Sequence, residues 1–243
     1  MVKLMVMSST YREESNQRPE LREIDPNNRL LACQSPRRLE AEFVRDNALF
    51  IAGLLNEKVG GPSARPYQPA GYYANLQFPE RDYYPQLDER QYRRGVYTHW
   101  QRTFLQPMLA NFDAPSREEC CANRVVSNTP QQALTLLNDP TFVEASRVFA
   151  AGLLSVGGVS DEQRLNLAFE RALARPLKDK EKKSLLKFLA VQREQCLLSK
   201  DADAKLMHVG IAPIPKNEDE SELAAWTEVC RVILNLHETL TRY

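Results

Sequence analysis

From Pro36 to Lys58 the chain reads PRRLEAEFVRDNALFIAGLLNEK, with apolar residues returning every three or four positions. Leu39, Phe43, Phe50 and Leu54 form one row and Val44, Ala48, Ile51 and Leu55 the adjacent one, while Glu40, Glu42, Arg45 and Asp46 fall mainly off that face. This period predicts one long amphipathic helix packed on a core. Ser35 followed by Pro36 suits its start, and Gly60-Gly61-Pro62 suits its stop. Thr129-Pro130-Gln131-Gln132 has the form of a capping box, with Thr129 as cap and Gln132 reaching back, and opens a helix through Ala133, Leu134, Leu136 and Leu137. Asp139-Pro140 starts the next, which carries Phe142, Val143, Val148, Phe149 and Leu153. Ser160-Asp161-Glu162-Gln163 is a second capping box, and its helix, with Leu165, Ala168, Phe169 and Ala172, stops at Arg175-Pro176. A further helix spans about Asp179 to Leu198, and Leu223, Trp226, Cys230, Ile233 and Leu240 give the last one a single apolar stripe.

Elsewhere the pattern breaks. Asp25-Pro26 starts a turn-rich link. Residues 62–94 mix proline and glycine with many tyrosines, including the Tyr72-Tyr73 and Tyr83-Tyr84 pairs. They read as a long ordered loop with room for one short β-hairpin, and loops of this length are often functional. Residues 95–102 read as a strand or a short helix, and Val96, Tyr97, Thr98 and Trp100 favour the strand. Residues 199–220, with Pro213, Pro215 and the acidic run Glu218-Asp219-Glu220, read as a solvated loop. At the N-terminus, Val2, Leu4, Met5 and Met7 predict a short helix that lacks the layout of a signal peptide. The fold class is mainly α, a helical bundle with a tyrosine-rich excursion, taken as one domain over 1–243.

Composition narrows the function classes. Thirty-two acidic and thirty-two basic residues cancel, with a pI near 6.8, so overall charge points to no nucleic-acid partner. No apolar run approaches the ~20 residues of a membrane helix. Cys33, Cys120, Cys121, Cys196 and Cys230 include no pair at zinc or redox spacing and no Cys-x-x-Cys-His for haem attachment. Free, mostly buried thiols are the expectation. His99, His208 and His237 have no ligand spacing, so neither a metal nor another cofactor is expected.

Arg90, Arg93, Arg94 and Arg102 alternate with Tyr92, Tyr97, Trp100 and Phe104. Guanidinium groups suit carboxylate, sulfate or phosphate, and aromatic faces suit sugar rings. Arg93, Arg94, Tyr97, Trp100, Arg102 and Asp113 are therefore the candidate ligand-binding residues. The plainer alternative pairs these arginines with Asp113, Glu118 or Glu119 to hold the long loop down. Those same carboxylates are also the candidates for glycosidase-type acid/base chemistry, which depends on a separation that spacing does not supply. Thr129, Gln132 and Asp139 are assigned as structural caps.

Arg93-Arg94-Gly95-Val96-Tyr97, Phe112-Asp113-Ala114-Pro115, Asn128-Thr129-Pro130-Gln131-Gln132-Ala133-Leu134 and Leu137-Asn138-Asp139-Pro140 resemble a planctomycete-type family, domain of unknown function 1553. The resemblance extends to Arg38-Leu39-Glu40-Ala41-Glu42 and to Ala225-Trp226. It implies the C-terminal part of an exported, periplasmic or cell-envelope protein that carries a cytochrome-c-like domain, with no reaction to carry over. The chain lacks the haem motif and a signal segment, so a truncated or split member is expected. A noncatalytic module binding a partner domain or an anionic polymer is the expected function; a carbohydrate-active hydrolase using carboxylates near Asp113 is the alternative.

Overall fold

A computed structural model describes residues 1–15, 18–74, 82–101, 104–198, 205–215 and 219–242. The chain divides into two compact units, Met1–Leu39 with Leu240–Tyr243, and Glu40–Thr239.

The smaller unit contains helices α1 (Val2–Val6) and α2 (Pro19–Ile24) and a two-stranded antiparallel sheet, β1 (Arg37–Arg38) and β2 (Thr241–Arg242). α1 forms where the apolar spacing places it, but buries none of its residues. Asp25 organises the turn after α2: its Oδ1 accepts from the Arg29 N–H at 2.9 Å and its Oδ2 from the Leu30 N–H at 2.7 Å. The sheet corrects the expected start of the long helix. Arg37 pairs with Arg242 and Arg38 with Thr241, and the Leu39 N–H donates to the Leu240 carbonyl at 2.8 Å. Backbone groups committed to that ladder are unavailable to a helix, so Ser35 and Pro36 do not cap one.

In the larger unit α3 runs only over Ala41–Ala52 and ends at Gly53, which adopts a left-handed conformation, before Gly60-Gly61 is reached. One of its two apolar rows is buried, with Val44, Ala48 and Ile51; from the other, Phe43 and Phe50 are 57% and 63% exposed. Arg45, expected off the buried face, is 1% exposed.

The centre of this unit is α6 (Pro140–Leu154), which packs against α3, α5 (Pro130–Asn138), α7 (Asp161–Leu173) and α9 (Glu220–Leu234). Its residues 141–147 are all buried, the polar Thr141, Glu144, Ser146 and Arg147 among them. α9 contributes Leu223, Trp226, Val229 and Ile233, each with no exposed surface, and α8 (Asp179–Leu198) adds Leu185, Leu189 and Cys196. Arg193 on α8 bridges Asp161 at 2.7 Å and Glu222 at 2.5 Å, joining three helices at one guanidinium. The arrangement is mainly α, and the one sheet among the described residues is the β1–β2 pair rather than a hairpin in the tyrosine-rich loop. Residues 95–97 form a 3-10 turn instead of a strand. The described part of the 199–220 stretch is not simply solvated: Met207 is buried, and residues 211–213 are tied to α6.

Proline occupies the first turn of both α5 and α6, where its missing N–H is not needed. The caps differ. Asp139 accepts from the Thr141 N–H at 2.9 Å, and Ser160 and Gln163 close a full capping box on α7. Thr129 stands at the start of α5 but makes no side-chain cap bond, and Gln132 does not reach back to it. Gln132 is buried and turns instead to Ser127 Oγ, at 3.1 Å, and Asp113 Oδ2, at 3.4 Å. Asp139→Ala is expected to destabilise the protein by about 0.5–2 kcal/mol, and Thr129→Ala by much less; thermal melts of the two variants compare them directly, and equal losses would contradict the difference in caps.

Candidate functional site

The tyrosine-rich loop is held to the helices by buried charged side chains that satisfy backbone groups. From α3, Arg45 donates to the Arg93 carbonyl at 2.6 Å and the Gln91 carbonyl at 2.5 Å. Burial holds its pKa below the ordinary arginine value, with Asp46 and Asp139 opposing that shift. Asp46 accepts from the Gly95 N–H at 2.7 Å. Arg93 passes the restraint onward: its guanidinium donates to the Pro62 and Gly60 carbonyls and stacks on Tyr97, 3.9 Å from the ring centroid. Tyr97 in turn accepts from the Gly60 N–H at 2.8 Å.

A second anchor lies on α6. Glu144, 1% exposed, accepts from the hydroxyls of Tyr92 at 2.7 Å and Tyr67 at 3.0 Å, and from the backbone N–H groups of Ile211 and Ala212, both at 2.6 Å. Arg147, one turn on, donates to the Ala212 carbonyl at 2.7 Å and the Pro213 carbonyl at 3.3 Å. Burial, then the Glu144 carboxylate, pushes the Tyr67 hydroxyl above its ordinary range. For Tyr92 burial again leads, followed by its hydrogen bond to Glu144. Gly210 has a φ of +86°, and a Cβ there would lie 2.0 Å from the Glu144 carboxyl carbon, so the strand of chain at 210–212 closes over the carboxylate only because no side chain intervenes.

The sequence-derived candidates therefore separate. Arg93 is buried and engaged with carbonyls, not with Asp113, Glu118 or Glu119. Arg94 is exposed. Tyr97 is half-buried against Arg93. Trp100 donates to the Ser116 carbonyl at 3.1 Å and lies under Arg117, 4.1 Å from its centroid. Arg102 lies outside the described residues. Asp113, at a φ of +63°, accepts from the Ser127 N–H at 2.8 Å and from its hydroxyl at 2.8 and 2.9 Å. That carboxylate fixes the segment leading into α5, while Glu118 and Glu119 are exposed.

A cavity of about 370 Å³ opens beside this framework, lined by Arg65, Tyr73, Asp82, Tyr83, His99 and Gln101. Tyr73 is buried and packs edge-on to Tyr83, their centroids 5.3 Å apart. Tyr83 donates to the Pro66 carbonyl at 2.6 Å, and burial pushes its hydroxyl above the ordinary tyrosine value. The Arg65 side chain is exposed at the rim, while its backbone N–H is fixed by Gln86 Oε1 at 3.0 Å. His99 Nδ1 is 3.4 Å from Ser63 Oγ. The arrangement offers one guanidinium, one carboxylate, an imidazole, an amide and two tyrosine rings around a space for a small molecule. Among the described residues no group of three or more histidine, cysteine, aspartate or glutamate side chains is placed to hold a metal.

Sequence reasoning missed Glu144, Arg147, Arg45 and Arg65. The first two left a signal, being the lone charges in the run from Pro140 to Leu154; a charge within an apolar helix has to be partnered.

The model of the family described as PSD1, protein of unknown function (DUF1553), matches residues 1–189. Comparison with curated proteins and with solved structures finds no match.

Glu144→Gln sets an amide donor among four donors, and is expected to cost about 3 kcal/mol. A denaturant midpoint equal to the parent's would show that Glu144 does not hold the two segments.

Proposed function

The chain belongs to the DUF1553 family, and from that premise we propose that it is a noncatalytic module of a cell-envelope protein that binds an anionic polysaccharide, one acidic sugar unit in the Arg65 cavity. The cavity carries this reading. Its volume suits a single small ring. Tyrosine faces provide apolar contact, and the Arg65 fork matches a carboxylate or sulfate. His99 and Gln101 supply further polar contacts for ring hydroxyls.

Hydrolysis has less support. Glycosidases work with two carboxylates across the scissile bond, whereas Asp82 is the one carboxylate among the described lining residues, and Asp113 is engaged with Ser127. The family resemblance adds a cytochrome-c-like domain in a parent or neighbouring protein; in this reading the chain holds the polymer near that domain. Of the arginines first singled out for binding, Arg93 serves the site indirectly, by fixing the turn before Ser63.

Titration calorimetry with polyuronate oligosaccharides tests the proposal, with neutral oligosaccharides of equal length as controls. The parent is expected to prefer the anionic series, with affinity falling as salt rises, and Arg65→Ala to bind at least tenfold more weakly with an unchanged melting temperature. Equal binding by parent and variant, or no binding of any polyuronate, would overturn the proposal.

A further inference from the structure

Residues 117–124 form an exposed excursion whose two ends converge on one carboxylate. Glu42, in the first turn of α3, lies 4.0 Å from Arg117 Nη2 and accepts from Arg124 Nη1 at 2.6 Å; Glu40 lies 3.2 Å from the same Arg124 nitrogen. Arg117 is further held over the Trp100 ring. Between these arginines stand Cys120 and Cys121, adjacent, exposed and free. Cys121 donates from Sγ to the Asn123 carbonyl at 3.1 Å.

Cys196 and Cys230 are buried and so unavailable as disulfide partners, and Cys33, half-buried, belongs to the smaller unit. Nor do the two neighbours suit one another as a disulfide. Consecutive Cα atoms are ~3.8 Å apart across a trans peptide, short of the roughly 4.4–6.8 Å that disulfides usually span. A bond closed between them is strained and readily reduced. Two exposed thiols on consecutive residues, poorly able to satisfy one another as a disulfide, can reach one ion between them.

We propose that Cys120 and Cys121 form a vicinal dithiol site that captures one soft, thiophilic ion of the Cu(I) type. Thiolate ligands select such ions over hard cations, and a soft monovalent ion is satisfied by few donors. On capture both S–H bonds ionise, two metal–sulfur bonds form and two protons leave to solvent; no oxidation state changes. The resulting unit carries one net negative charge.

The test uses the full chain, reduced and desalted without oxygen, titrated with Cu(I) against a chromophoric Cu(I) chelator. One equivalent is expected to transfer to the parent. Cys120→Ser and Cys121→Ser are each expected to lower affinity by a hundredfold or more, and Cys33→Ser to leave it unchanged, all with the parent's melting temperature. Lowering the pH is expected to weaken parental binding through proton competition. Retention of parental affinity by either single variant, failure of the parent to compete with the chelator, or recovery of a closed Cys120–Cys121 disulfide as the stable aerobic form would each overturn the proposal.

The base of this excursion has a separate pH signature. Burial raises the Glu42 pKa, but the Arg124 hydrogen bond and the Arg124 and Arg117 charges outweigh it and hold the carboxyl below the usual value of 4.5. Because the folded value is the lower one, the interaction contributes stability that is present above the unfolded value and lost as pH falls through the folded one. The melting-temperature gap between parent and Glu42→Gln is therefore expected at neutral pH and to close in acid; a gap that persists unchanged in acid would contradict this.

Discussion

The larger unit depends on how one buried carboxylate is satisfied. Glu144 lies in the central helix, where an unpaired charge is costly, and every group that satisfies it comes from outside that helix. Two tyrosine hydroxyls arrive from the long loop and two backbone N–H groups from the 211–212 segment. The requirement is mutual, since those half-buried backbone groups would otherwise lack this partner. One side chain thus converts two irregular stretches into fixed parts of the structure. Arg147 reinforces it by donating to the carbonyls of the same segment whose N–H groups Glu144 receives.

Arg45 on α3 and Arg93 in the loop itself apply the same logic. Neither uses its charge chiefly to meet a carboxylate; both donate to main-chain oxygens. A fan of N–H donors on a long stem can close several carbonyls at once, which explains how a loop rich in proline and glycine holds a cavity without a sheet beneath it. The cavity rim is held differently: the Arg65 N–H donates to Gln86 Oε1 and the His99 N–H to the Ala64 carbonyl. The isolated parallel bridges Asn56–Arg93 and Ala64–Thr98 mark where the restraint takes hold.

Helices were legible in the sequence where period and cap agreed, as at Asp139 and Ser160. They were misread where a distant partner competed. Arg37 and Arg38 fit a helical period, but the chain's last residues offered a ladder that no local window contains. Gln132 fits a capping box, but a buried site beside Ser127 and Asp113 outbid the helix start, leaving Thr129 without its partner. The site was harder still. An arginine bound to carbonyls looks, in sequence, like one awaiting a ligand, because the acceptors are main-chain atoms that leave no mark on residue identity. Arg93 was misplaced for that reason, and Arg65, isolated among turn residues, carried no pattern at all.

The turn at 58–62 has a consequence for how this surface can change. Arg93 grips the carbonyls of Lys58, Gly60 and Pro62, while Val59 points into solvent with 82% of its surface exposed. The shape of the turn is therefore nearly independent of what Lys58 and Val59 are. Such a turn can be rewritten residue by residue without refolding, so relatives with different surface chemistry at this edge can share one backbone, and the edge can diverge while its scaffold stays still.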